Sequence, residues 1–352
     1  MIGSEGVTVG AVDSRFQAGV FFAAAVMLAT TVIVAEAGQP VTVQAAQSAF
    51  NDAYRQEDWS HAVDIGLDLV QMLPDSALAR YNLACAYALS GDADSALHWL
   101  GRAAASGFAE LSHLDADSDL DEIRDRPGYS SVRAAVAQND RRHKKEIEKR
   151  TSSSPILIVA PPDHDERPPA PLIIAFHGYG DQAGNYSRFW SGPAAEFGAI
   201  LAVPQGMQPV GNGFGWGSVD EADAILQRVL SEVDRQYAVD PDHVVLTGFS
   251  QGGFIALALG LRYPGRFVGV IPMAGPYIPE IDAPPLARAG DPRYYFIVGS
   301  RDRAASDMRL ATKDYEAAGY DVRLRVIPST GHSFPRDSDR EFTSALRWVL
   351  AR

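Results

Sequence analysis

The chain has 352 residues, 46% of them hydrophobic and 21% charged, which is typical of globular proteins, excludes a fibrous or disordered chain and suffices for about two domains. Its net charge of −13 argues against nucleic acid and anionic membrane surfaces as main partners, because both require a cationic footprint. Cys85 is the single cysteine, so the sequence excludes an intramolecular disulfide framework and a cysteine-based zinc site.

The N-terminal segment, residues 1–37, has the pattern of a signal peptide. An uncharged apolar run extends from Ala18 to Ala35 after Arg15, and a small-x-small triplet of the kind that signal peptidases cleave ends at Ala37. We therefore predict an exported protein, periplasmic or secreted. The run is also about as long as a bilayer is thick, which leaves an uncleaved membrane anchor, with the rest of the chain facing outside, as the alternative.

Residues 43–108 repeat with a period of 34 residues, as Ala62 and Ala96 illustrate, and the predicted domain extends to residue 136. Small residues at such positions let antiparallel helices pack closely. The pattern resembles tetratricopeptide repeats, although Phe50 and Gly66 exchange the usual small and large residues in the first copy. The resemblance implies helical repeats with capping helices and a surface for a protein partner. The alternative is that the repeats only pack against their neighbour.

A charged stretch follows the repeats. Residues 137–154 begin with a run that holds six lysines and arginines. We predict a solvated helix that leads into a linker, because three serines and Pro155 then break the helical pattern. A cationic binding patch is the alternative.

From residue 155 to residue 352, short apolar runs alternate with helical patterns. Buried strands have this composition, and the alternation favours an α/β fold with a mostly parallel sheet that helices cover on both faces. The predicted strands are residues 156–160, 172–176, 200–203, 244–247, 267–273, 294–298 and 322–327, and the predicted helices are residues 222–237, 254–263, 307–318 and 339–350.

Ser250 lies in a G-x-S-x-G sequence, between Gly248 and Gly252, with a predicted strand before it and a predicted helix after it. A serine on such a tight turn needs neighbours without a Cβ, because strand and helix approach each other there. The turn lifts the hydroxyl clear of the sheet and places it at the N-terminus of the helix. We therefore predict that Ser250 is a nucleophile, which requires a base within hydrogen-bond reach.

His332 and Asp302 complete a predicted catalytic triad. In α/β proteins whose nucleophile lies on such a strand–turn–helix, the chain order is serine, acid, histidine. His332 is the single histidine after the nucleophile. Asp302 follows a predicted strand and would hold the imidazole in the required tautomer. Asp291 and Asp307 are alternatives for the acid, the first before that strand and the second inside the next helix.

Backbone N–H groups of Gln251 and Tyr179 are predicted to form the oxyanion hole, one after the nucleophile and one in the loop after an early strand. Trp216 and Gly178 are predicted to contact the substrate. His177 could serve as a base or a metal ligand, but we favour a structural role that fixes the loop. The glycine-rich stretch before Trp216 lacks the G-x-x-x-x-G-K-[ST] pattern of a phosphate loop, which favours the substrate contact.

Together these motifs resemble the α/β-hydrolase superfamily. Within it they are most similar to the phospholipase/carboxylesterase (acyl-thioesterase-like) group, followed by the polyhydroxybutyrate depolymerase/feruloyl esterase group. The resemblance covers residues 155–352 and rests on residues 248–253, residues 176–181, Asp302 and residues 331–332. It implies an α/β-hydrolase fold with the triad and oxyanion donors named above. The tyrosine in the loop, where the thioesterase-like proteins usually carry an aliphatic residue, leaves the natural substrate open.

The sequence therefore predicts a serine hydrolase that cleaves carboxylic esters or thioesters through an acyl-enzyme, acting on a small or polymeric ester without a cofactor or a metal. Two alternatives belong to other classes. One is a serine peptidase or amidase of the same fold. The other is a repeat-based adaptor with an inactive hydrolase domain, against which the presence of all three triad residues argues.

Overall fold

The computed structural model describes residues 32–34, 40–162, 168–277 and 284–351. The chain divides into two compact units, Met1–Lys145 and Glu146–Arg352. The predicted signal peptide lies outside the described residues, except that Val32–Val34 (β1) pairs antiparallel with Pro40–Thr42 (β2). In the part of the chain that is described, no helix is long and apolar enough to span a bilayer.

The first unit is helical. Its first four helices form two antiparallel pairs, and both members of the second pair start 34 residues after their counterparts in the first pair. The capping residues repeat with them: Thr42 and Ser76 each accept a backbone N–H, as do Asp58 and Asp92. The helices are α1 (Val43–Arg55), α2 (Trp59–Met72), α3 (Ala77–Leu89), α4 (Ala93–Ala105), α5 (Leu111–Ala116), a 3₁₀ helix (Ser118–Ile123) and α6 (Tyr129–Thr151), which extends into the second unit.

Phe50 and Gly66 depart from the usual repeat pattern for a packing reason. A Cβ at Gly66 would lie 2.9 Å from Leu83 Cδ1 and 3.3 Å from Phe50 Cε2. The phenylalanine ring on α1 thus occupies the volume that a side chain on α2 would otherwise fill. The two departures compensate each other and leave a close-packed pair of helices.

Polar side chains form a hydrogen-bonded cluster in the interior of the first unit. Tyr81 donates to Asp117 Oδ2 at 2.5 Å, and Tyr54 donates to Asp119 Oδ2 at 2.6 Å. The backbone N–H of Asp119 donates to Asp117 Oδ1 at 3.0 Å. Burial raises the pKa of Asp119 to about 6.

The residues predicted to form a linker are fixed within the second unit. Helix α6 continues to Thr151, whose carbonyl accepts from Arg228 at 2.6 Å, and the carbonyl of Ser154 accepts from the same guanidinium at 3.0 Å. The Ser154 hydroxyl donates to the carbonyl of Gln205 at 2.6 Å. Because serine is short and polar, it can end a helix and still bond locally, so a serine-rich stretch does not by itself indicate a flexible segment.

The second unit is built on a seven-stranded sheet, in which each predicted strand is present. The strands are β3 (Ile156–Val159), β4 (Ala170–Phe176), β5 (Ile200–Pro204), β8 (Val239–Phe249), β9 (Gly269–Met273), β10 (Arg293–Gly299) and β11 (Val322–Ile327); β6 (Gln208–Val210) and β7 (Gly213–Gly215) form a separate hairpin. The order across the sheet is β11-β10-β9-β8-β4-β5-β3. Strand β3 is antiparallel to β5, and the other neighbouring pairs are parallel.

Helices cover both faces of this sheet, as predicted. Alternate residues of β4 point to opposite faces, so that Leu172 and Ile174 pack in one core and Ile173 in the other. The first core includes α8 (Val219–Gln236), α9 (Gln251–Arg262) and α10 (Ala305–Ala317), and the second includes α7 (Ala183–Glu196) and α11 (Ser338–Leu350). The sheet order and the two covered faces define the predicted α/β-hydrolase fold.

Helix α7 and the β6–β7 hairpin were not expected from the sequence. Helix α7 contains Gly184, Gly192 and Pro193, which usually interrupt helices. The hairpin has strands of three residues, too short to show the alternation that predicts a strand.

Candidate active site

Ser250 lies between β8, the central strand of the seven-stranded sheet, and α9. Its backbone has φ 55° and ψ −118°, a conformation that is strained for a residue with a Cβ. The N–H of Ser250 donates to the Met273 carbonyl at 2.8 Å, and its carbonyl accepts from Phe254 at 3.1 Å. These bonds hold the turn on both sides of the serine.

The glycines of the G-x-S-x-G sequence are required by close backbone approach. A Cβ at Gly248 would lie 2.0 Å from the Gly252 carbonyl oxygen, and a Cβ at Gly252 would lie 2.0 Å from the Phe176 carbonyl oxygen. Neither position can accept any other residue without moving the backbone. The turn can therefore form only with this spacing of glycines.

The structure brings Ser250, His332 and Asp302 into hydrogen-bond contact. His332 Nε2 lies 2.9 Å from Ser250 Oγ, and His332 Nδ1 lies 2.9 Å from Asp302 Oδ2. The aspartate side chain is 2% exposed and the histidine side chain 49% exposed. A buried carboxylate thus orients an imidazole that remains open to a substrate.

The loops that carry the acid and the histidine are joined by their backbones. Ser329 N–H donates to Ser300 Oγ at 2.9 Å, and Arg301 N–H donates to the Thr330 carbonyl at 2.9 Å. A Cβ at Gly299 would lie 2.3 Å from the Thr330 carbonyl oxygen. These contacts fix the separation of the two side chains before any substrate binds.

The alternative acids have different partners. Asp291 Oδ2 accepts from the backbone N–H of Arg288 at 2.6 Å, and Asp307 Oδ1 accepts from the Ser306 hydroxyl at 3.2 Å.

Aromatic rings support the histidine, and they were not predicted from the sequence. The Phe249 ring lies 5.0 Å from the His332 ring and 4.4 Å from the Phe334 ring, measured between centroids. Phe334 in turn stacks on Phe189 at 3.9 Å. Only their positions in the sequence could have indicated this contact, because Phe249 precedes the nucleophile and Phe334 lies two residues after the histidine.

The loop after β4 reaches the nucleophile. A Cβ at Gly178 would lie 3.7 Å from Ser250 Cβ, which places this buried glycine directly beside the serine. Tyr179 follows with 46% of its surface exposed. Gln251 is the first residue of α9, where backbone N–H groups have no partner within the helix. The two predicted oxyanion donors thus lie in the two segments that flank Ser250.

His177 is fully buried under this loop. Its Nδ1 lies 2.8 Å from the Gly178 carbonyl oxygen, while its Nε2 accepts from the Gly206 N–H at 2.9 Å and faces the Gln205 amide nitrogen at 2.8 Å. Burial lowers the pKa of His177, so the ring is neutral near neutral pH. These contacts support the structural role favoured from the sequence.

Trp216 is placed differently from the expectation. Its side chain is 2% exposed, and its indole N–H donates to the His177 carbonyl at 2.8 Å. The ring packs edge-on against Phe176 with 5.2 Å between centroids. Because the ring is enclosed by the protein, we correct the predicted substrate contact to a supporting role beneath the loop.

Comparison with known proteins gives a family match within the C-terminal unit. Residues 149–311 match the family model Esterase, described as "Putative esterase". The segment contains Ser250 and Asp302, while His332 lies beyond its end. The match confirms, for the C-terminal unit, the predicted resemblance to the α/β-hydrolase esterases.

The matched relatives are esterases and depolymerases. The chain is 33% identical over 127 residues to "Putative esterase NocK" of Nocardia uniformis subsp. tsuyamanensis, covering 33% of this chain and 34% of the relative. It is 30% identical over 120 residues to the poly(3-hydroxyalkanoate) depolymerase C of Paucimonas lemoignei, covering 31% of this chain and 28% of the relative. The chain thus spans about a third of the length of the curated relatives it matches.

Solved structures with similar backbones include an esterase named PE8. It is 23% identical in sequence, with a TM-score of 0.48 over 56% of this chain and 99% of its own. An S-formylglutathione hydrolase from Agrobacterium tumefaciens is 17% identical, with a TM-score of 0.45 over 56% of this chain and 90% of its own.

Proposed function

We propose that this protein is a serine hydrolase that cleaves carboxylic esters or thioesters through an acyl-enzyme. One observation carries the proposal: His332 lies within 2.9 Å of both Ser250 Oγ and Asp302 Oδ2, beside a strained turn. The match to the esterase family model supports the same reaction class. The predicted absence of a cofactor fits a reaction that needs only a nucleophile, a base and an acid.

In the proposed first step, Ser250 Oγ attacks the carbonyl carbon of the ester while His332 Nε2 takes the hydroxyl proton. Asp302 stabilises the resulting imidazolium. The tetrahedral oxyanion accepts hydrogen bonds from the N–H groups of Tyr179 and Gln251. The C–O bond to the alcohol then breaks, the imidazolium gives its proton to the leaving oxygen, and the serine ester remains.

In the second step, a water molecule attacks the serine ester while His332 takes one of its protons. Collapse of the second tetrahedral intermediate releases the carboxylic acid and returns the proton to Ser250 Oγ. Because the histidine is half exposed, water can reach the ester carbonyl from the side of the leaving group.

The substrate class follows from chemistry and from the relatives together. Two matched relatives are named as depolymerases of poly(3-hydroxyalkanoate) or poly(3-hydroxybutyrate), and one is named as an acetylxylan esterase. We therefore propose a short-chain acyl ester, either free or part of a polymer. Gly178 beside the serine is proposed to contact the acyl group.

The proposal is tested with the purified full chain. We expect hydrolysis of nitrophenyl acetate or butyrate, covalent labelling by a fluorophosphonate, and loss of both in Ser250→Ala. Peptidyl nitroanilides and aminoacyl amides are the comparison substrates, because a preference for them would support the peptidase alternative. Ester hydrolysis that survives intact in Ser250→Ala would overturn the proposed nucleophile.

Two further properties remain predictions. The repeat spacing in α1–α4 supports tetratricopeptide-like repeats, and we propose that this unit binds a protein partner. Export, by a cleaved signal peptide or an anchor, rests on the pattern in residues 1–37. Western blotting of cell fractions, with N-terminal sequencing of the mature chain, tests that prediction.

A further inference from the structure

We infer that the side chains of Gln251, Trp216 and His177 are positioning residues that hold the two proposed oxyanion donors at a fixed separation. The inference rests on the proposed function, because it concerns how the proposed oxyanion hole is built. The hydrogen bonds of these three side chains and the β6–β7 hairpin together hold the loop that carries Tyr179, and we call this arrangement the brace.

The loop after β4 pairs with strand β7 of the hairpin, in the position of a third strand. Gly180 N–H donates to the Phe214 carbonyl at 2.9 Å, and Phe214 N–H donates to the Asp181 carbonyl at 2.9 Å. The side-chain amide of Gln182 donates to the Asn212 carbonyl at 2.7 Å. The residues on the C-terminal side of Tyr179 are therefore fixed by main-chain bonds to the hairpin.

Glycines allow the hairpin to approach this closely. A Cβ at Gly213 would lie 2.0 Å from the Gly180 carbonyl oxygen. A Cβ at Gly215 would lie 3.0 Å from the Tyr179 ring and 3.1 Å from Gln251 Oε1. The hairpin thus contacts both segments that carry the proposed oxyanion donors.

Gln251 ties the other donor segment to the same hairpin. Its Oε1 accepts from the Trp216 N–H at 3.0 Å, and its Nε2 donates to the Trp216 carbonyl at 2.8 Å. The proposed oxyanion contact uses only the backbone N–H of Gln251, which any residue except proline could supply. The side chain has a separate role, because its acceptor and one of its donors both bond to the main chain of Trp216.

His177 completes the connection beneath the loop. The Trp216 indole donates to the His177 carbonyl, and Gly206 N–H donates to His177 Nε2. Because Nε2 accepts, Nδ1 carries the proton and donates to the Gly178 carbonyl. A continuous chain of bonds therefore leads from the residue after the nucleophile to the residue before Tyr179.

Such a brace matters because oxyanion donors accelerate the reaction only when they are oriented in advance. A loop that must reorganise as charge develops loses part of that stabilisation. Weakening the brace should therefore reduce transition-state binding and leave ground-state binding of a small ester unchanged. This separates a positioning role from a contribution to folding alone.

The test uses Gln251→Met in the full chain, which keeps the length of the side chain and removes both bonds to Trp216. We expect kcat for nitrophenyl butyrate to fall by about 10- to 100-fold, with KM within about twofold. The inhibition constant of a trifluoromethyl ketone should rise by the same factor, because the ketone forms the tetrahedral adduct that the donors stabilise. Gln236→Met, on the exposed side of α8, is the matched control and should leave all three values unchanged.

A second variant tests the inference independently, in case Gln251→Met does not fold. Trp216→Phe keeps an aromatic ring and removes only the bond to the His177 carbonyl, so we expect a smaller loss of the same kind. If both variants keep wild-type kcat and inhibition while the wild type hydrolyses esters and labels with fluorophosphonate, the inference is wrong and the proposed function stands. If the inhibition constant stays constant while kcat falls, the side chains contribute to folding only and the inference is also wrong. A wild type that neither hydrolyses nor labels would overturn the proposed function itself.

Discussion

Each unit of the protein brings a potential nucleophile, a histidine and an aspartate together. In the helical unit, Cys85 Sγ and His113 Nε2 each lie 3.6 Å from the same oxygen, Asp117 Oδ2. In the C-terminal unit the histidine is the central member, bonded to the serine on one side and to the aspartate on the other. The residue types are similar, but the order of contact differs.

The surroundings differ as well. In the helical unit Cys85 and Asp117 are buried and the His113 side chain is 10% exposed, and burial raises the pKa of the Cys85 thiol and lowers the pKa of His113. The thiol therefore stays protonated and the imidazole neutral, and neither is prepared for catalysis. In the proposed active site only the aspartate is buried. Contact among a nucleophile, a histidine and an aspartate is therefore not sufficient for catalysis. A nucleophilic site also needs an exposed base between the other two groups.

Substituting the aspartate of each unit should change a different property of the protein. Asp302→Asn should reduce kcat by about 10⁴-fold, because the amide no longer holds the His332 tautomer that accepts the serine proton. The amide oxygen can still accept from Ala304 N–H, as Asp302 Oδ1 does, so folding should be preserved. Asp117→Asn should lower the melting temperature and leave kcat unchanged. Ester hydrolysis assays and thermal unfolding check both, and a kcat within tenfold of wild type in Asp302→Asn would contradict the proposed role.

Chemical reactivity should show the same contrast. We expect Cys85 to react with iodoacetamide at least about 100-fold more slowly in the folded chain than in 6 M guanidinium, because the buried thiol is protonated and shielded. Fluorophosphonate should label Ser250 in the folded chain and fail to label the unfolded one. Mass spectrometry of the digested protein locates both modifications. Rapid alkylation of Cys85 in the folded chain would show that the helical unit opens its core.

The contacts among Ser250, Asp302 and His332 could be predicted because each residue follows a predicted strand at the same edge of the sheet. Apolar runs of Val, Ile and Leu locate such strands, and the G-x-S-x-G spacing can be satisfied by few other turns. Helix α7 escaped prediction because glycines and Pro193 obscure the buried spacing of Ala183, Tyr186 and Trp190. The role of Trp216 could not be predicted, because it depends on how a short hairpin docks on a distant loop.

The stability of the helical unit should depend on pH through Asp119. Burial raises the pKa of Asp119 to about 6, above its value in the unfolded chain, so the folded state binds the extra proton. This carboxyl therefore destabilises the fold increasingly as pH rises from about 4 to above 6, and the effect is complete above that range. Asp119→Asn should be more stable than wild type by about 1–2 kcal/mol at pH 7.5, with a smaller difference at pH 4.5. Urea unfolding at both pH values measures it, and an equal difference at the two would contradict the raised pKa.

Loosening the ring that supports the histidine should have a smaller effect. Phe334→Leu removes the ring contacts to Phe249 and Phe189, which are worth about 0.5–1.5 kcal/mol per aromatic pair. We expect kcat to fall by up to about 10-fold with little change in KM. Phe342→Leu, which removes a stack on Trp190 within the second core, is the control and should reduce stability without this loss of kcat.

Both units contain backbone strain, and relieving it should change the free energy of unfolding only slightly. Ser250 and Glu57 each have φ 55°, Glu57 in the turn between α1 and α2. Replacement by glycine relieves such strain by about 1 kcal/mol, although glycine is otherwise less favourable than alanine in structured positions. Ser250→Gly should therefore be more stable than Ser250→Ala, and Glu57→Gly more stable than Glu57→Ala. Only the variants of Ser250 should lose ester hydrolysis. Urea unfolding measures these differences. If Ser250→Ala is more stable than Ser250→Gly, the serine is not held under backbone strain. If both pairs follow the expected order, the strained residue of the helical unit only forms a turn, whereas the strained residue of the C-terminal unit is also the nucleophile.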